Sequence, residues 1–343
     1  MYRVCSGVAS TPPRRARRYT TRMPAPDARP LAVLLMGPTA SGKTALACAL
    51  AERFPLELIS VDSALVYRGL DIGSAKPDAA TLARHPHRLI DIRDPDQPYS
   101  AGEFRHDALR EMASITAAAR VPLLVGGTGL YFRALMRGFS DLPAAHPELR
   151  ERLQAELERH GLGALHARMA QLDPLAASRI RASDTQRVLR ALEVMALSGR
   201  PLSELQQGRA EPPPYRLLKL ALVPVERAPL HARIAERFDA MLAGGLIEEV
   251  QGLRARGNLH ADLPALRAVG YRQVWQYLAG ELSLAELRDR GIFATRQLAK
   301  RQITMLRAEL DARWLDPERE DAHTRASDAL QLFLGNGDRV QIS

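Results

Sequence analysis

The segment GPTASGKT, residues 37–44, constrains the fold of this chain more than any other part of the sequence. It fits the pattern GxxxxGK(S/T) at every fixed position, follows the apolar run 31–36 and precedes a segment with helical character at 45–54. In this context the glycines let the loop curl, so that successive backbone amides and the helix N-terminus face one phosphate group. We therefore predict phosphate contacts along the whole loop, which comprises Gly37, Pro38, Thr39, Ala40, Ser41, Gly42, Lys43 and Thr44.

The last two residues of the loop indicate how a phosphate and a metal would be held. Lys43 provides a mobile cation for the phosphate oxygens, and the hydroxyl of Thr44 is a suitable ligand for Mg²⁺. A loop that holds the terminal phosphates of ATP would hold a diphosphate leaving group equally well. The sequence therefore predicts a phosphorylated ligand with Mg²⁺ as the cofactor, and it leaves the reaction open.

Further apolar runs along the chain have the length and composition of buried strands. They alternate with helical segments such as 103–119, which is typical of a parallel sheet covered by helices on both faces. We therefore predict an α/β fold, a P-loop NTPase-like parallel sheet flanked by helices. The strand candidates after 31–36 are 56–61, 87–92, 121–127 and 216–225.

The pattern changes near Leu142. Residues 147–205 have helical periodicity with no strand pattern, and Gly161 and Gly199 are positioned to end helices. Amphipathic helices are expected again from 230 to about 313. We predict four parts, which are a disordered basic tail at 1–30, a P-loop α/β core at 31–142 plus 209–315, a helical insertion domain at 143–208 and a C-terminal tail at 316–343.

The first thirty residues carry most of the net charge of +9, since they contain seven arginines and one aspartate. The segment has no apolar core, which predicts disorder. It is similar to an organellar transit peptide, or it is translated sequence upstream of a start at Met23. Because so much of the charge lies in this tail, the overall basicity is weak evidence for RNA binding.

The composition argues against several classes of protein. No apolar run approaches the roughly 20 residues that span a bilayer, so we expect no membrane association. The two cysteines, Cys5 and Cys48, belong to no CxxC pair, which argues against a cysteine-based zinc site. So few cysteines favour a reducing compartment, and we expect a cytoplasmic protein.

Asp62 directly follows the second strand candidate. The carboxyl ends of strands in an open α/β sheet line the ligand crevice, so this carboxylate could act as a general base or hold a metal-bound water. An aspartate at this position could equally cap the N-terminus of a helix. The position alone does not decide between these roles.

Six segments in a fixed order resemble the tRNA dimethylallyltransferase family, also called tRNA isopentenyltransferases. The resemblance extends over about residues 31–315, and the basic tail lies outside it. A P-loop alone is shared by many unrelated enzymes, whereas six motifs in order are specific. The segments are GPTASGKT (37–44), DSALVYRGLDIGSAKP (62–77), GGTGLY (126–131), DTQRVLRALEV (184–194), VGYRQ (269–273) and ATRQLAKRQITMLR (294–307).

The resemblance implies a reaction and its participants. Members of the family transfer the dimethylallyl group of dimethylallyl diphosphate to N6 of adenosine 37, beside the anticodon of tRNAs that read codons beginning with U, and need Mg²⁺. By residue match, Asp62 is the proposed base, Thr128 contacts the target nucleotide or that base, and the P-loop with Arg296 holds the diphosphate. The family also leads us to expect a monomer.

The resemblance further implies contacts with the anticodon stem-loop of tRNA. The acceptor adenine must leave the stack of the loop, which is least costly where bases are unpaired. Basic side chains three or four residues apart would present one helical face to phosphates. The matched contact residues are Asp62, Ser63, Ala64, Leu65, Arg150, Gln186, Arg187, Val188, Leu189, Arg190, Arg267, Arg272, Lys300 and Arg301.

Two other functions are compatible with a P-loop. The first is an ATP-dependent small-molecule kinase, in which Asp91 at the end of 87–92 would be a metal ligand. The second is an RNA-binding protein whose P-loop is a regulatory nucleotide switch. Consumption of ATP would identify the kinase, and nucleotide binding without a change in RNA mass would identify the switch.

Overall fold

The computed structural model describes residues 27–138, 142–143, 146–206 and 211–338. Its centre is a parallel sheet with the strand order β3-β2-β4-β1-β5-β6, numbered along the chain. The strands are β1 (Leu31–Met36), β2 (Leu56–Val61), β3 (His87–Arg88), β4 (Val121–Gly126), β5 (Arg216–Leu222) and β6 (Arg313–Leu315).

Both faces of the central strands are buried. In β1, Val33 packs into one hydrophobic cluster and the next residue, Leu34, packs into another. Their register partners in β4, Leu123 and Leu124, belong to the same two clusters. Since successive side chains of a strand point to opposite faces, the apolar runs of the sequence fill both faces of the sheet. The predicted parallel sheet flanked by helices is confirmed.

Helices form the layers on each side of the sheet. Two of the longest begin with a capping box, in which Ser100 pairs with Glu103 and Ser283 with Glu286. The helices of the described segments are α1 (Lys43–Arg53), α2 (Ala79–Arg84), α3 (Ala101–Ala117), α4 (Gly129–Arg137), α5 (Pro147–Leu172), α6 (Pro174–Arg179), α7 (Thr185–Ser198), α8 (Leu202–Leu205), α9 (Arg227–Ala243), α10 (Leu246–Ala255), α11 (Tyr271–Leu278), α12 (Leu284–Leu306) and α13 (Ala322–Asp338).

Helices α5 to α8 follow one another without an intervening strand and bury a hydrophobic cluster of their own, which includes Leu153, Met169 and Leu192. Gly161 interrupts α5 with a φ of 75°, and Gly199 ends α7 with a φ of 66°. Both glycines therefore have the positive φ that a helix end favours. The boundaries that we predicted for this insertion lie partly outside the described residues, as does most of the basic tail at 1–30.

The third strand is much shorter than the predicted segment 87–92. Only His87 and Arg88 pair with β2. The next residues leave the strand conformation, because Leu89 has a φ of 64° and Asp91 a φ of 56°. Asp91 therefore does not lie at the end of a strand, which is where the kinase hypothesis placed it.

The segment that we predicted to be a C-terminal tail contains a helix that belongs to the core. Ala326 and Leu330 of α13 are fully buried in the cluster that covers one face of the sheet. The Arg53 side chain of α1 also donates to the hydroxyl of Ser327 at 3.1 Å. The three-residue strand β6 just before this helix was not predicted either. None of the helices in the described ranges combines the length and the apolar character of a membrane-crossing segment.

Helix α12 packs closely on α9 where a glycine meets an aromatic ring. A Cβ atom at Gly291 would overlap the ring of Phe238, whereas a Cβ at Gly163 in α5 would meet nothing within 4 Å. Gly291 therefore allows α12 and α9 to approach each other, whereas Gly163 has no such role. The close contact matters for function because α12 continues from here towards the P-loop.

We predict that Gly291→Ala lowers the free energy of unfolding by about 1–3 kcal/mol, because the added methyl group overpacks the contact with Phe238. Gly163→Ala should be neutral or stabilising by about 0.5–1 kcal/mol, since alanine favours a helix and has room there. Urea denaturation of both variants measures the difference. Phe238→Leu should reduce the cost of Gly291→Ala, and equal effects of the two glycine substitutions would contradict this account.

Candidate functional site

The carboxyl ends of three adjacent strands meet at one edge of the sheet. Met36 of β1 and Val61 of β2 are both register partners of Gly126 in β4. The P-loop, Asp62 and the segment that contains Thr128 directly follow these strands. Because parallel strands end at the same edge, three distant parts of the sequence form one crevice. This edge contains the phosphate loop and the candidate base.

The P-loop has the geometry of an anion cradle. Ala40 and Gly42 have positive φ values of 60° and 83°, and Gly42 is the N-cap residue of α1. A Cβ at Gly37 would lie only 2.6 Å from the carbonyl oxygen of Leu222, so this position requires glycine. The buried hydroxyl oxygen of Ser41 has no hydrogen-bond partner among the described residues. A buried polar atom without a partner in a curled loop fits an oxyanion ligand.

Lys43 interacts electrostatically with two other charged residues of this site, Asp62 and Arg237. Its Nζ atom donates to the carbonyl oxygen of Pro38 at 3.1 Å. Burial lowers the pKa of Lys43 to about 8, the nearby carboxylate of Asp62 opposes this effect, and the positive charge of Arg237 adds to it. Three charged groups from the P-loop, from the end of β2 and from α9 therefore act on one another in the same crevice.

Arg237 was not among the site residues predicted from the sequence. It lies half-buried in α9 and makes no side-chain hydrogen bond or ion pair within the part of the chain that the structure describes. Burial lowers its pKa, and the charge of Asp62 opposes that shift. The helix offers one signal, because Arg237 occupies an inward-facing position between the buried residues Ile234 and Phe238. A cation on the apolar side of a helix suggests an anionic partner.

Arg296 also lies where it can meet an anion. Its Nη2 atom donates to the carbonyl oxygen of His231 in α9 at 3.4 Å. Its buried Nε atom has no partner among the described residues. Burial lowers the pKa of His231, and the positive charges of Arg296 and Arg227 lower it further. Arg296 therefore lies near a second cation, Arg227, and keeps a buried donor for which the described residues offer no acceptor.

The carboxylate of Asp62 divides its two oxygens between different environments. Oδ1 accepts hydrogen bonds from the backbone amides of Ala64 at 2.8 Å and Leu65 at 3.4 Å. Oδ2 accepts none from the described residues. The helix-capping role that the sequence left open is wrong, because a turn and not a helix follows Asp62. Oδ1 holds this turn instead, and Oδ2 remains available for the role of base. The amide contacts fix the orientation of the carboxylate.

Thr128 contacts the residue next to Asp62. It is the N-cap residue of α4, yet its side chain does not cap that helix. Its Oγ1 accepts a hydrogen bond from the amide of Ser63 at 3.0 Å and lies 3.4 Å from the Ser63 hydroxyl. Its own amide donates to the carbonyl of Val61 at 3.2 Å. Thr128 therefore holds the turn that carries the candidate base.

Asp91 is occupied by a different interaction. It forms an ion pair with the nearly buried Lys76 at 2.5 Å, and Lys76 also pairs with Asp71 and donates to the carbonyl of Tyr67. This lysine stabilises the loop that follows Asp62. The metal-ligand role that the kinase hypothesis required of Asp91 finds no support in this arrangement.

The residues matched to RNA contacts are mostly exposed, but they are not equivalent. Arg187 exposes 73% of its side chain and has one weak ion pair with Asp184, at 3.4 Å. Val188 is fully buried in the insertion cluster, which contradicts a side-chain contact of this residue with RNA, and Leu189 is partly buried there. The other exposed members are Ser63, Arg150, Gln186, Arg267, Arg272, Lys300 and Arg301.

Two of the matched arginines share a buried carboxylate. Glu193 exposes only 1% of its side chain and accepts from Arg150 at 3.0 Å, from Arg190 at 2.7 Å and from the amide of His146 at 2.8 Å. Burial opposes ionisation of Glu193, but the bonds from Arg190, His146 and Arg150 outweigh it and lower its pKa. Arg190 also donates to the carbonyl of Pro143 at 2.6 Å. Arg190 therefore anchors the start of the insertion to α7.

We predict that the affinity of the site for inorganic diphosphate falls as the pH rises through about 8, because Lys43 loses its charge there. The lowered pKa leaves the lysine neutral above this value, so the affinity should be highest below it. Titration calorimetry between about pH 7 and pH 9.5 measures the change. Lys43→Arg keeps its charge over this range and controls for ionisation of diphosphate itself. Identical pH profiles for both proteins would contradict the assignment.

Known proteins of one family are similar to this chain over most of its length. The model of the IPP transferase family matches residues 65–309. The chain is 57% identical over 323 residues to the tRNA dimethylallyltransferase of Xanthomonas campestris pv. campestris (strain 8004), covering 92% of this chain and 98% of the relative. It is 60% identical over 297 residues to that of Stenotrophomonas maltophilia (strain K279a), covering 85% and 94%.

Solved structures agree with this result. The full-length tRNA isopentenylpyrophosphate transferase of Bacillus halodurans superposes with a TM-score of 0.67 at 35% identity, covering 91% of this chain and 99% of that one. A eukaryotic dimethylallyltransferase acting on tRNA has the same fold, with a TM-score of 0.78 at 24% identity, covering 90% and 80%. The chain belongs to the IPP transferase family, whose members similar to it are tRNA dimethylallyltransferases.

Proposed function

We propose that this chain transfers the dimethylallyl group of dimethylallyl diphosphate to N6 of adenosine 37 in tRNAs that read codons beginning with U. The relatives named above are tRNA dimethylallyltransferases, which supports the reaction class. The observation that carries the proposal is that the P-loop and Asp62 follow β1 and β2, whose last residues both pair with Gly126, so that both lie at one edge of the sheet. A base and an anion cradle in one crevice suit a transfer from a diphosphate to a nucleophile that must lose a proton.

The donor side of the site stabilises the leaving group. As the bond between the allylic carbon and the diphosphate oxygen breaks, the bonding electrons remain on the diphosphate. The amides of the P-loop, Lys43, Arg237 and Arg296 are suited to receive that charge, since they lie partly buried, where electrostatic stabilisation is strong. The hydroxyl of Ser41 and Nε of Arg296, both without partners among the described residues, would gain diphosphate oxygens.

Mg²⁺ fits the donor side through one hydroxyl. Thr44 is exposed at the start of α1 and makes no side-chain hydrogen bond with the described residues. Those residues include no group of three or more His, Cys, Asp or Glu side chains that could hold a metal. Thr44 and diphosphate oxygens would therefore supply the ligands, together with water. When bound, the ion would neutralise part of the leaving-group charge.

The acceptor side removes a proton. The exocyclic amine of adenine is a weak nucleophile because its lone pair is delocalised into the ring. As the new bond between N6 and the allylic carbon forms, the Oδ2 atom of Asp62 accepts one N6 proton. Oδ1 remains with the amides of Ala64 and Leu65, so the carboxylate keeps its orientation during the transfer. Base catalysis of this kind accelerates a reaction by about 10²–10⁴-fold.

The tRNA is bound through exposed cations of α12 and of the insertion. The exposed residues Lys300 and Arg301 lie at the end of α12 that also contacts the P-loop, and Arg187 is exposed on the insertion. Such cations bind phosphates independently of sequence, and the unpaired anticodon loop makes extrusion of the adenine inexpensive. We propose a monomer, as the family resemblance implies. A tRNA substrate supports a cytoplasmic site of action.

Mass spectrometry of a tRNA that reads a codon beginning with U tests the proposal. The unmodified tRNA is incubated with the protein, Mg²⁺ and dimethylallyl diphosphate in the absence of ATP. We expect one dimethylallyl group on the adenosine beside the anticodon. No gain in mass, together with hydrolysis of ATP or transfer of its phosphate in a parallel reaction, would replace this proposal with the kinase hypothesis.

Asp62→Asn should lower kcat by about 10²–10⁴-fold, because the amide cannot accept the N6 proton. The amide oxygen can still accept the backbone hydrogen bonds from Ala64 and Leu65, so the turn should be preserved. Binding of tRNA and of inorganic diphosphate should therefore change little. Steady-state kinetics and filter binding measure the two effects. Turnover within about threefold of the wild-type value would remove Asp62 from the role of base.

Arg187 and Arg190 offer a matched pair of variants. Arg187→Ala should reduce tRNA affinity and lower the salt dependence of binding by about one phosphate contact, with unchanged thermal stability. Arg190→Ala should cost about 1–3 kcal/mol of stability, because Glu193 remains buried with fewer donors. Filter binding at several salt concentrations and urea denaturation distinguish them. Equal effects of both variants on stability would contradict the roles assigned here.

A further inference from the structure

Helix α12 lies directly on the loop that carries Thr128. Gln302 and Met305, three residues apart, face this loop from one side of the helix. A Cβ at Gly127 would overlap the Gln302 amide, and a Cβ at Gly129 would lie 2.9 Å from Cγ of Met305. A side chain at either glycine beside Thr128 would therefore displace Gln302 or Met305, because α12 packs directly on this loop.

The amide of Gln302 joins this loop to the P-loop. Its Oε1 atom accepts a hydrogen bond from the backbone amide of Thr39 at 2.9 Å, and its Nε2 atom donates to the carbonyl oxygen of Gly127 at 3.0 Å. A backbone amide can only donate and a carbonyl can only accept, so the two partners fix the orientation of the side-chain amide. One side chain therefore spans the two loops.

The bridge continues to the candidate base through short contacts. Gly127 precedes Thr128, whose hydroxyl accepts from the amide of Ser63, the residue after Asp62. Towards the donor side, Thr39 belongs to the P-loop that holds the diphosphate. A backbone bond from Gly37 to Gly126, 3.3 Å long, joins the bases of the two loops. Gln302 adds a second connection further out, and two connections fix the relative orientation of the loops.

We propose that Gln302 is a positioning residue that sets the separation between the donor cradle and the acceptor-side turn. The proposal rests on the function proposed above, in which the diphosphate lies in the P-loop and Asp62 acts on the acceptor. In this role Gln302 acts through its bonds to Thr39 and to Gly127, the residue before Thr128. Transfer requires the reacting atoms to lie about 3–3.5 Å apart, and a shift of about 1 Å lowers the rate roughly a hundredfold.

The proposal also explains why the bridge lies on α12. Lys300 and Arg301, for which the family resemblance implies RNA contacts, are exposed just before Gln302. The same turn of helix thus carries these two exposed cations and the bridge. A tRNA that binds to α12 therefore contacts the same helix that sets the distance between the P-loop and the loop of Thr128.

The test compares Gln302→Met with Gln276→Met. Methionine has a similar length and removes both hydrogen bonds of the bridge. Gln276 lies half-buried on α11, where its amide bonds only Glu281 among the described residues, and controls for loss of a glutamine. The stoichiometry of inorganic diphosphate binding, measured by calorimetry, counts folded sites, so that kcat is expressed per folded site. A second variant, Gln302→Glu, keeps an acceptor for Thr39 and loses the donor to Gly127.

We expect kcat per folded site to fall about tenfold to a hundredfold in Gln302→Met, with KM for tRNA and the diphosphate affinity within about threefold of wild type. Gln302→Glu should also lower kcat per folded site. This variant tests the positioning role if Gln302→Met does not fold. The control should retain wild-type kcat. A kcat per folded site within about twofold of wild type, or a loss confined to KM, would overturn the positioning role. Absence of transfer by the wild-type protein would overturn both proposals.

Discussion

The parallel pairing of β1, β2 and β4 is the constraint on which the site depends. Parallel strands end at the same edge, so the loops that follow them must share one crevice, whatever their distance in sequence. Gly126 strengthens this constraint, because a Cβ there would overlap the carbonyl oxygen of Val61. The close approach brings the turn of Asp62 against the loop of Thr128. The chemistry that we propose is therefore a consequence of strand order and of one missing side chain.

Charge in this protein is organised locally. The crevice gathers Lys43, Arg237 and Arg296 around partly buried positions, and the described residues place one carboxylate, Asp62, against the first two of these cations. Elsewhere the buried carboxylates have strong partners, as Glu193 has with two arginines. Cations without acidic partners are costly to bury, so they identify the place where an anionic ligand must enter. The overall net charge, which lies largely in the basic tail, carries no such information.

The sequence was sufficient for the features that depend on local pattern. Apolar runs identified the central strands, and the fixed positions of the P-loop identified the cradle, because both are properties of contiguous residues. Arg237 could not be assigned in this way, since its role depends on how the fold brings α9 near Asp62. The strand at 87–92 was overestimated because Leu89 and Asp91 adopt left-handed conformations that composition does not predict. Helix α13 was not predicted, because the role of its apolar residues depends on their packing against the sheet, which the local pattern does not show.

The position of β1 in the sheet has a consequence for how the protein is made. Its two neighbours are β4 and β5, and β5 begins at Arg216, far along the chain from Leu31. At about 5–20 residues per second, a ribosome needs roughly 10–40 s to complete the intervening chain, and one edge of this apolar strand lacks its partner throughout. The insertion helices lie between the two neighbours and bury a cluster of their own. Their folding can thus run ahead of the sheet, while the unpaired edge of β1 remains exposed to pairing with other chains until β5 is made.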